Sequence, residues 1–114
     1  MIELLLAERC TGCNRCVAVC PSNVFDAVRD APPVIARAKD CQTCFMCELY
    51  CQADALFVHP NAEQRVPTEP AAVLAADLLG QYRRESGWDE WAGHYPNEHW
   101  MMEQVFRRAL AARQ

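Results

Sequence analysis

The sequence predicts an α+β fold, in which a pseudo-twofold (βαβ)2 domain over residues 1–60 is followed by a mostly helical extension over residues 61–114. All eight cysteines of the 114-residue chain lie in two runs, at residues 10–20 and 41–51. The second run repeats the first with a shift of 31 residues, from Cys10 to Cys41, and short apolar segments flank both runs. The second half has no cysteine, but it has helical periodicity and all three tryptophans.

Each half of the first domain is expected to form a strand, a short helix and a second strand. Apolar residues with β-branched and aromatic side chains precede and follow each cysteine run, which indicates strands, and the end of each run has the spacing of one helical turn. We expect strands at residues 2–6, 24–28, 34–36 and 55–58, short helices at 16–20 and 45–51, and a turn at 30–33.

The cysteine spacing is typical of iron–sulfur proteins. The first run reads C-x2-C-x2-C-x3-C and is followed by Pro21, and the second run repeats the spacing. Two intervening residues let the backbone curl around one corner of a [4Fe–4S] cube, whereas the fourth cysteine lies one helical turn further on and points away. Two zinc sites would use two C-x2-C pairs separated by a longer loop. Four disulfides are the other alternative, but closely spaced cysteines would bridge poorly to one another.

On these motifs, residues 1 to about 60 resemble a bacterial-type dicluster 2[4Fe–4S] ferredoxin. The resemblance implies two [4Fe–4S] clusters as cofactors, each bound by both halves of the domain. One feature departs from the family, because Gln52 follows the second run where a proline is usual. The ligands that the resemblance implies are Cys10, Cys13, Cys16 and Cys51 for cluster I, and Cys41, Cys44, Cys47 and Cys20 for cluster II.

Charge and hydropathy exclude several classes of partner. The formal net charge is −4, and two oxidised clusters with their thiolates would bring it to about −8. Nucleic acid is therefore not expected as a partner. No apolar stretch is long enough to span a membrane, and residues 1–8 lack the features of a signal peptide. We expect a cytoplasmic protein, because thiolates remain reduced there.

The extension is predicted to contain two helices joined by an aromatic loop. Apolar residues at helical spacing indicate one helix from Ala71 to Glu85, and a second from Asn97 or Glu98 to about Ala111. Tryptophan and tyrosine are enriched at the centres of protein interfaces, so the loop is a candidate docking surface for a partner. Packing of these rings on the cluster domain is the alternative. The docking candidates are Trp88, Trp91, Tyr95 and Trp100.

The sequence predicts electron transfer and no catalytic site of its own. It contains no Gly-rich nucleotide loop and no nucleophile–base pair. The extension favours a stable heteromeric complex, and the arrangement resembles the iron–sulfur subunit of flavoprotein oxidoreductases such as adenylylsulfate reductase. We therefore expect a flavoprotein catalytic subunit as partner. A free soluble ferredoxin that serves several enzymes is the alternative, and a redox sensor is a third, less favoured interpretation.

Overall fold

The structure is a computed structural model that describes residues 1–94 and 102–113. In chain order, the cluster domain has a strand, a helix, two strands, a second helix and a fourth strand, and three further helices follow. Two of the docking candidates, Tyr95 and Trp100, lie outside the described residues, as does the expected start of the last helix at Asn97 or Glu98.

Two antiparallel strand pairs form the sheet part of an α+β domain. Strand β1 (Ile2–Leu5) pairs with β4 (Leu56–Val58), so that the beginning and the end of the domain are joined. Strand β2 (Phe25–Val28) pairs with β3 (Ala31–Ile35) as a hairpin. The α+β class predicted from the sequence is confirmed.

The turn expected at residues 30–33 is wrong by about two residues. The chain reverses at Arg29 and Asp30, with Asp30 in the left-handed region at φ 57°. Strand β3 already begins at Ala31 and includes both prolines. Proline is tolerated there because this pair has only two strands, so an edge position without an N–H donor loses no hydrogen bond to a further strand.

A short helix contains the third cysteine of each run. Helix α1 spans Arg15–Val19 and helix α2 spans Met46–Tyr50, and the two helices pack against each other. A single 3-10 turn, Ala38–Asp40, precedes the second run. Both helices begin after a residue in the left-handed region, Asn14 at φ 58° and Phe45 at φ 61°. The chain therefore enters the two helices with the same backbone conformation.

The apolar core joins the cluster domain to the first part of the extension. Its central group contains Ile2, Val24 and Leu56, with Cys47 among them. A second group brings Val73 and Leu79 of the extension against the Leu6 and Phe57 side chains of the domain. Residues up to Leu79 are therefore not a free tail, because burial of these side chains holds them to the domain.

The extension contains three helices in the described ranges, and the single helix predicted from Ala71 to Glu85 is wrong. Helix α3 spans Pro70–Ala75, helix α4 spans Gln81–Glu85, and α5 spans Met102–Ala112. Between α3 and α4 the chain turns through Asp77 and Gly80, which have φ values of 54° and 71°. Among the described helices, none is long and apolar enough to cross a bilayer.

Candidate metal centres

Four cysteines line one cavity of about 330 Å³ between the two halves of the domain. Two come from the loop before α1, one lies in α1, and the last follows α2. Gly12 lies in this loop with φ +77°, a conformation that few residues other than glycine adopt, and lets the chain curl. These cysteines are Cys10, Cys13, Cys16 and Cys51, the set that the sequence predicts for cluster I.

The other four cysteines line a second, narrower cavity. Three come from the second run, and the fourth is the last cysteine of the first run, so both halves contribute again. Thr43 occupies the place that Gly12 has in the first loop, and it adopts a similar backbone conformation at φ 54°. These cysteines are Cys20, Cys41, Cys44 and Cys47, the set that the sequence predicts for cluster II.

Crowding of thiols in partly buried sites calls for a cation. Burial first, and then the neighbouring Cys51, Cys13 and Cys10, raise the pKa of Cys16 to about 11. Burial also raises the pKa of Cys47, to which Cys44 and other neighbours add. Thiolates repel one another in such a site unless positive charge compensates them. The donor set of each cavity therefore fits a [4Fe–4S] core, whose four irons need one thiolate each.

Backbone amides donate to cysteine sulfurs in both halves. In the first run, the N–H groups of Gly12 and Val24 donate to Cys10 and Cys20 at 3.4 Å. In the second, the N–H groups of Thr43 and Ala55 donate to Cys41 and Cys51 at the same distance, and that of Ile2 donates to Cys41 at 3.3 Å. Such bonds stabilise negative charge on sulfur and help set the reduction potential.

Three buried polar atoms beside the cysteines lack a hydrogen-bond partner among the described residues. They are Asn14 Oδ1, Ser22 Oγ and Thr43 Oγ1. Buried polar groups in proteins are normally hydrogen-bonded, so an unpartnered hydroxyl next to a thiolate cavity indicates a group that the cavity is built to hold. This observation supports the same fit as the crowding of thiols.

The geometry does not favour a single zinc ion or disulfides. Within residues 1–94 and 107–113, no three His, Cys, Asp or Glu side chains stand close enough together to hold one metal ion. Zinc would need its ligand sulfurs within about 2.3 Å of one point. All eight cysteines belong to the described part of the chain, and no two of them are joined by a disulfide there. The arrangement favours a cluster of several irons in each cavity.

The extension covers the α2 side of the two cavities. Tyr82 of α4 stacks on Phe45 with ring centroids 4.6 Å apart, and Phe45 lines the second cavity. Trp88 meets Tyr50 edge-to-face at 5.1 Å, and Tyr50 lines the first cavity. These aromatic pairs exclude water from one side of each cavity, and water access is one of the factors that set a cluster's potential.

Charged residues that the sequence did not single out fasten the extension to the domain. The buried Glu48 carboxylate accepts hydrogen bonds from the backbone N–H groups of Val58 and Tyr82, at 3.2 and 3.1 Å. Burial raises its pKa, while those two hydrogen bonds act in the opposite direction. Near Cys51, Asp54 accepts from the Arg83 guanidinium at 2.9 and 3.1 Å. Residues so far apart in sequence leave no local pattern.

Comparison with known proteins supports the same conclusion. Residues 9–56 match the family described as a 4Fe-4S dicluster domain. The chain is 38% identical over 53 residues to a ferredoxin of Methanothermococcus thermolithotrophicus, covering 45% of this chain and 87% of the relative. It is 42% identical over 54 residues to an uncharacterized ferredoxin of Methanocaldococcus jannaschii, covering 46% of this chain and 86% of the relative. No solved structure matches it significantly.

The fold, the two cysteine-lined cavities and these matches define an iron–sulfur electron-transfer protein. Because the chain covers most of both relatives at this level of identity, it belongs to the dicluster [4Fe–4S] ferredoxin family. It carries two [4Fe–4S] clusters. The extension from residue 61 onwards lies outside the stretch that matches the family.

Proposed function

We propose that this chain is the iron–sulfur subunit of a larger cytoplasmic oxidoreductase, and that its catalytic partner is a flavoprotein. In this proposal, electrons pass one at a time through the two clusters. Cluster I is bound by the four cysteines of the first cavity, and cluster II by the four cysteines of the second. Because each cavity draws on both halves of the domain, each cluster would also hold the halves together.

The extension is the observation that carries the proposal. The extension is about as long as the stretch of 53 residues that matches the ferredoxin of Methanothermococcus thermolithotrophicus. It packs beside both cavities through Tyr82 and Trp88. A carrier that diffuses between enzymes needs a small contact surface and fast release. An added segment that covers one side of the clusters is better suited to holding a partner in place at that side.

Large apolar side chains remain exposed on the extension. Trp91 is 54% exposed, and Leu110 of α5 is 57% exposed. Leu74 of α3 and Tyr82 of α4 are also exposed. Four of the six large apolar side chains that are exposed among the described residues lie on the extension, which supports a docking role for this segment.

A free ferredoxin is the second candidate, and one observation favours it. Val73 and Leu79 are buried against the cluster domain, and Trp88 packs on Tyr50, so the first part of the extension stabilises the domain itself. Trp88 therefore has a structural role whether or not it meets a partner. In this alternative, the whole extension would serve the fold, and the protein would be a monomer that exchanges electrons with several enzymes.

The test is an anaerobic purification of the tagged full-length chain from its native host, followed by iron and flavin analysis. The proposal predicts that a flavin-containing protein co-elutes in a fixed ratio with a chain that holds about eight irons. A lone monomer with the same iron content would support the free carrier. Deletion of the extension is unsuitable as a test, because loss of Val73 and Leu79 would uncover Leu6 and Phe57 in the domain.

Point variants separate partner binding from folding. Trp91→Ala removes the exposed indole, and we expect it to weaken co-elution of the partner while the iron content stays unchanged. The matched control is Val28→Ala, because Val28 is also an exposed apolar residue but lies on β2, outside the extension. If both variants retain the partner equally, Trp91 does not contribute to docking.

A further inference from the structure

The two cavities differ in their hydroxyl groups. Beside the second cavity, Ser22 Oγ and Thr43 Oγ1 are buried and have no hydrogen-bond partner among the described residues. Ser22 lines this cavity, and Thr43 lies between Cys41 and Cys44. A buried hydroxyl without a partner costs stability, so two of them beside one thiolate cavity call for an acceptor inside it.

The internal repeat provides a comparison within the same chain. The shift that takes Cys10 to Cys41 takes Gly12 to Thr43, and it takes Ser22 to Ala53. Glycine and alanine therefore stand beside the first cavity where threonine and serine stand beside the second, and neither has a hydroxyl. The unpartnered polar atom near the first cavity is Asn14 Oδ1, which is an acceptor and cannot donate to sulfur.

We propose that the hydroxyls of Ser22 and Thr43 donate hydrogen bonds to sulfur atoms of cluster II and raise its reduction potential. One-electron reduction adds negative charge to the cluster, and a hydrogen-bond donor stabilises the more negative state. Beside the first cavity the described residues show no buried hydroxyl without a partner, and Thr11, which lines that cavity, is exposed. The inference rests on the proposed function in one respect, because it uses the assignment of Cys20, Cys41, Cys44 and Cys47 to one cluster.

These hydroxyls act against the effect of the aromatic cover. Phe45 lines the second cavity and is itself covered by Tyr82, so this site is shielded from water on that side. Shielding disfavours the more negative, reduced state and lowers the potential. The two hydroxyl donors offset part of that effect at cluster II.

The experiment is an anaerobic redox titration of the holoprotein followed by EPR, which reports the potential of each cluster without any enzyme activity. Ser22→Ala and Thr43→Val each remove a hydroxyl and keep the side chain close in size. We expect each variant to lower the potential of cluster II and leave that of cluster I unchanged, and the double variant to lower it further. A tenfold change in the reduction equilibrium corresponds to about 59 mV for one electron.

Two further variants serve as a gain-of-hydroxyl test and as a negative control. Ala53→Ser places a hydroxyl beside the first cavity, and we expect it to raise the potential of cluster I even if the first two variants bind iron poorly. Thr68→Val removes a hydroxyl that donates to the Val66 carbonyl at 2.8 Å, away from both cavities, and should change neither potential. Unchanged potentials in the Ser22, Thr43 and Ala53 variants would overturn the inference.

The same titration separates this inference from the ligand assignment. Cys44→Ser identifies the signal of cluster II, because that signal is the one it alters. If Ser22→Ala shifts the signal that Cys44→Ser leaves intact, then Ser22 acts on the other cluster, and the assignment of the neighbouring Cys20 to cluster II is wrong. If Ser22→Ala shifts neither signal, the result does not contradict the ligand assignment, but it refutes the proposal that the Ser22 hydroxyl raises the potential of cluster II.

Discussion

Gly80 of the extension lies close against the Asp54 side chain of the cluster domain. A Cβ atom built on Gly80 would lie 1.9 Å from Asp54 Oδ1, and the residue has φ +71°. The Asp54 carboxylate cannot move aside without loss, because Arg83 donates to both of its oxygens. Gly80→Ala should therefore detach α4 from the domain more readily than an ordinary glycine substitution would.

The size of the effect follows from two costs. The left-handed conformation costs about 1–2 kcal/mol for a residue with a Cβ atom, and the overlap with Asp54 adds about 1–3 kcal/mol. Gly87→Ala is the matched control. Gly87 has φ +83° on the other side of α4, but its added Cβ would meet nothing closer than 3.9 Å. The control therefore includes the first cost and not the second.

The assay is hydrogen exchange at the Tyr82 amide, which donates to Glu48 at 3.1 Å only while α4 is docked. Relative to Gly87→Ala, we expect Gly80→Ala to speed this exchange by roughly 5- to 150-fold, the factor that corresponds to the second cost of about 1–3 kcal/mol. Equal exchange in the two variants would refute the argument that Asp54 and Gly80 form a close contact.

Three further predictions concern the ligands, the linker and the aromatic cover. Cys20→Ser should remove about half of the iron and spare the cluster held by the first three cysteines, as EPR would show. Burial raises the pKa of Glu3, but hydrogen bonds from Arg65 and Val66 lower it overall. Its stabilising contribution is therefore present above the ordinary glutamate pKa and lost as the pH falls through the lowered value. The protection factor of the Val66 amide, which is its exchange rate relative to the intrinsic rate at the same pH, should fall over that range, and less so in Glu3→Gln. Finally, Tyr82→Ala should make cluster II bleach several-fold faster in air because it uncovers Phe45, whereas Trp91→Ala should not, because Trp91 does not line the second cavity.

The elements next to the cysteines could be predicted because their signals are local. Apolar strands precede and follow each run, and the spacing within a run constrains its loop and its short helix. The start of β3 was missed because Pro32 and Pro33 suggest a turn, whereas the two-stranded hairpin accepts them at its edge. The prolines can belong to β3 because no further strand pairs with it in the described structure, and a local sequence pattern carries no information about that.

The extension could be predicted less well because distant contacts shape it. Apolar spacing indicated one continuous helix, but the chain turns at Asp77 and Gly80 so that Leu79 is buried and Gly80 meets Asp54. The partners of these residues lie in another part of the sequence. The unpartnered hydroxyls of Ser22 and Thr43 were missed for a related reason, because only burial distinguishes them from ordinary surface hydroxyls.

The most direct test of the central claim is a count of irons and electrons on the anaerobically purified chain. Two [4Fe–4S] clusters predict about eight irons per chain and the uptake of about two electrons, one at each cluster, with EPR signals from both. About four irons and one electron would contradict the claim that both cavities hold a cluster. Bound zinc without any electron uptake would contradict the account of the protein as an electron carrier.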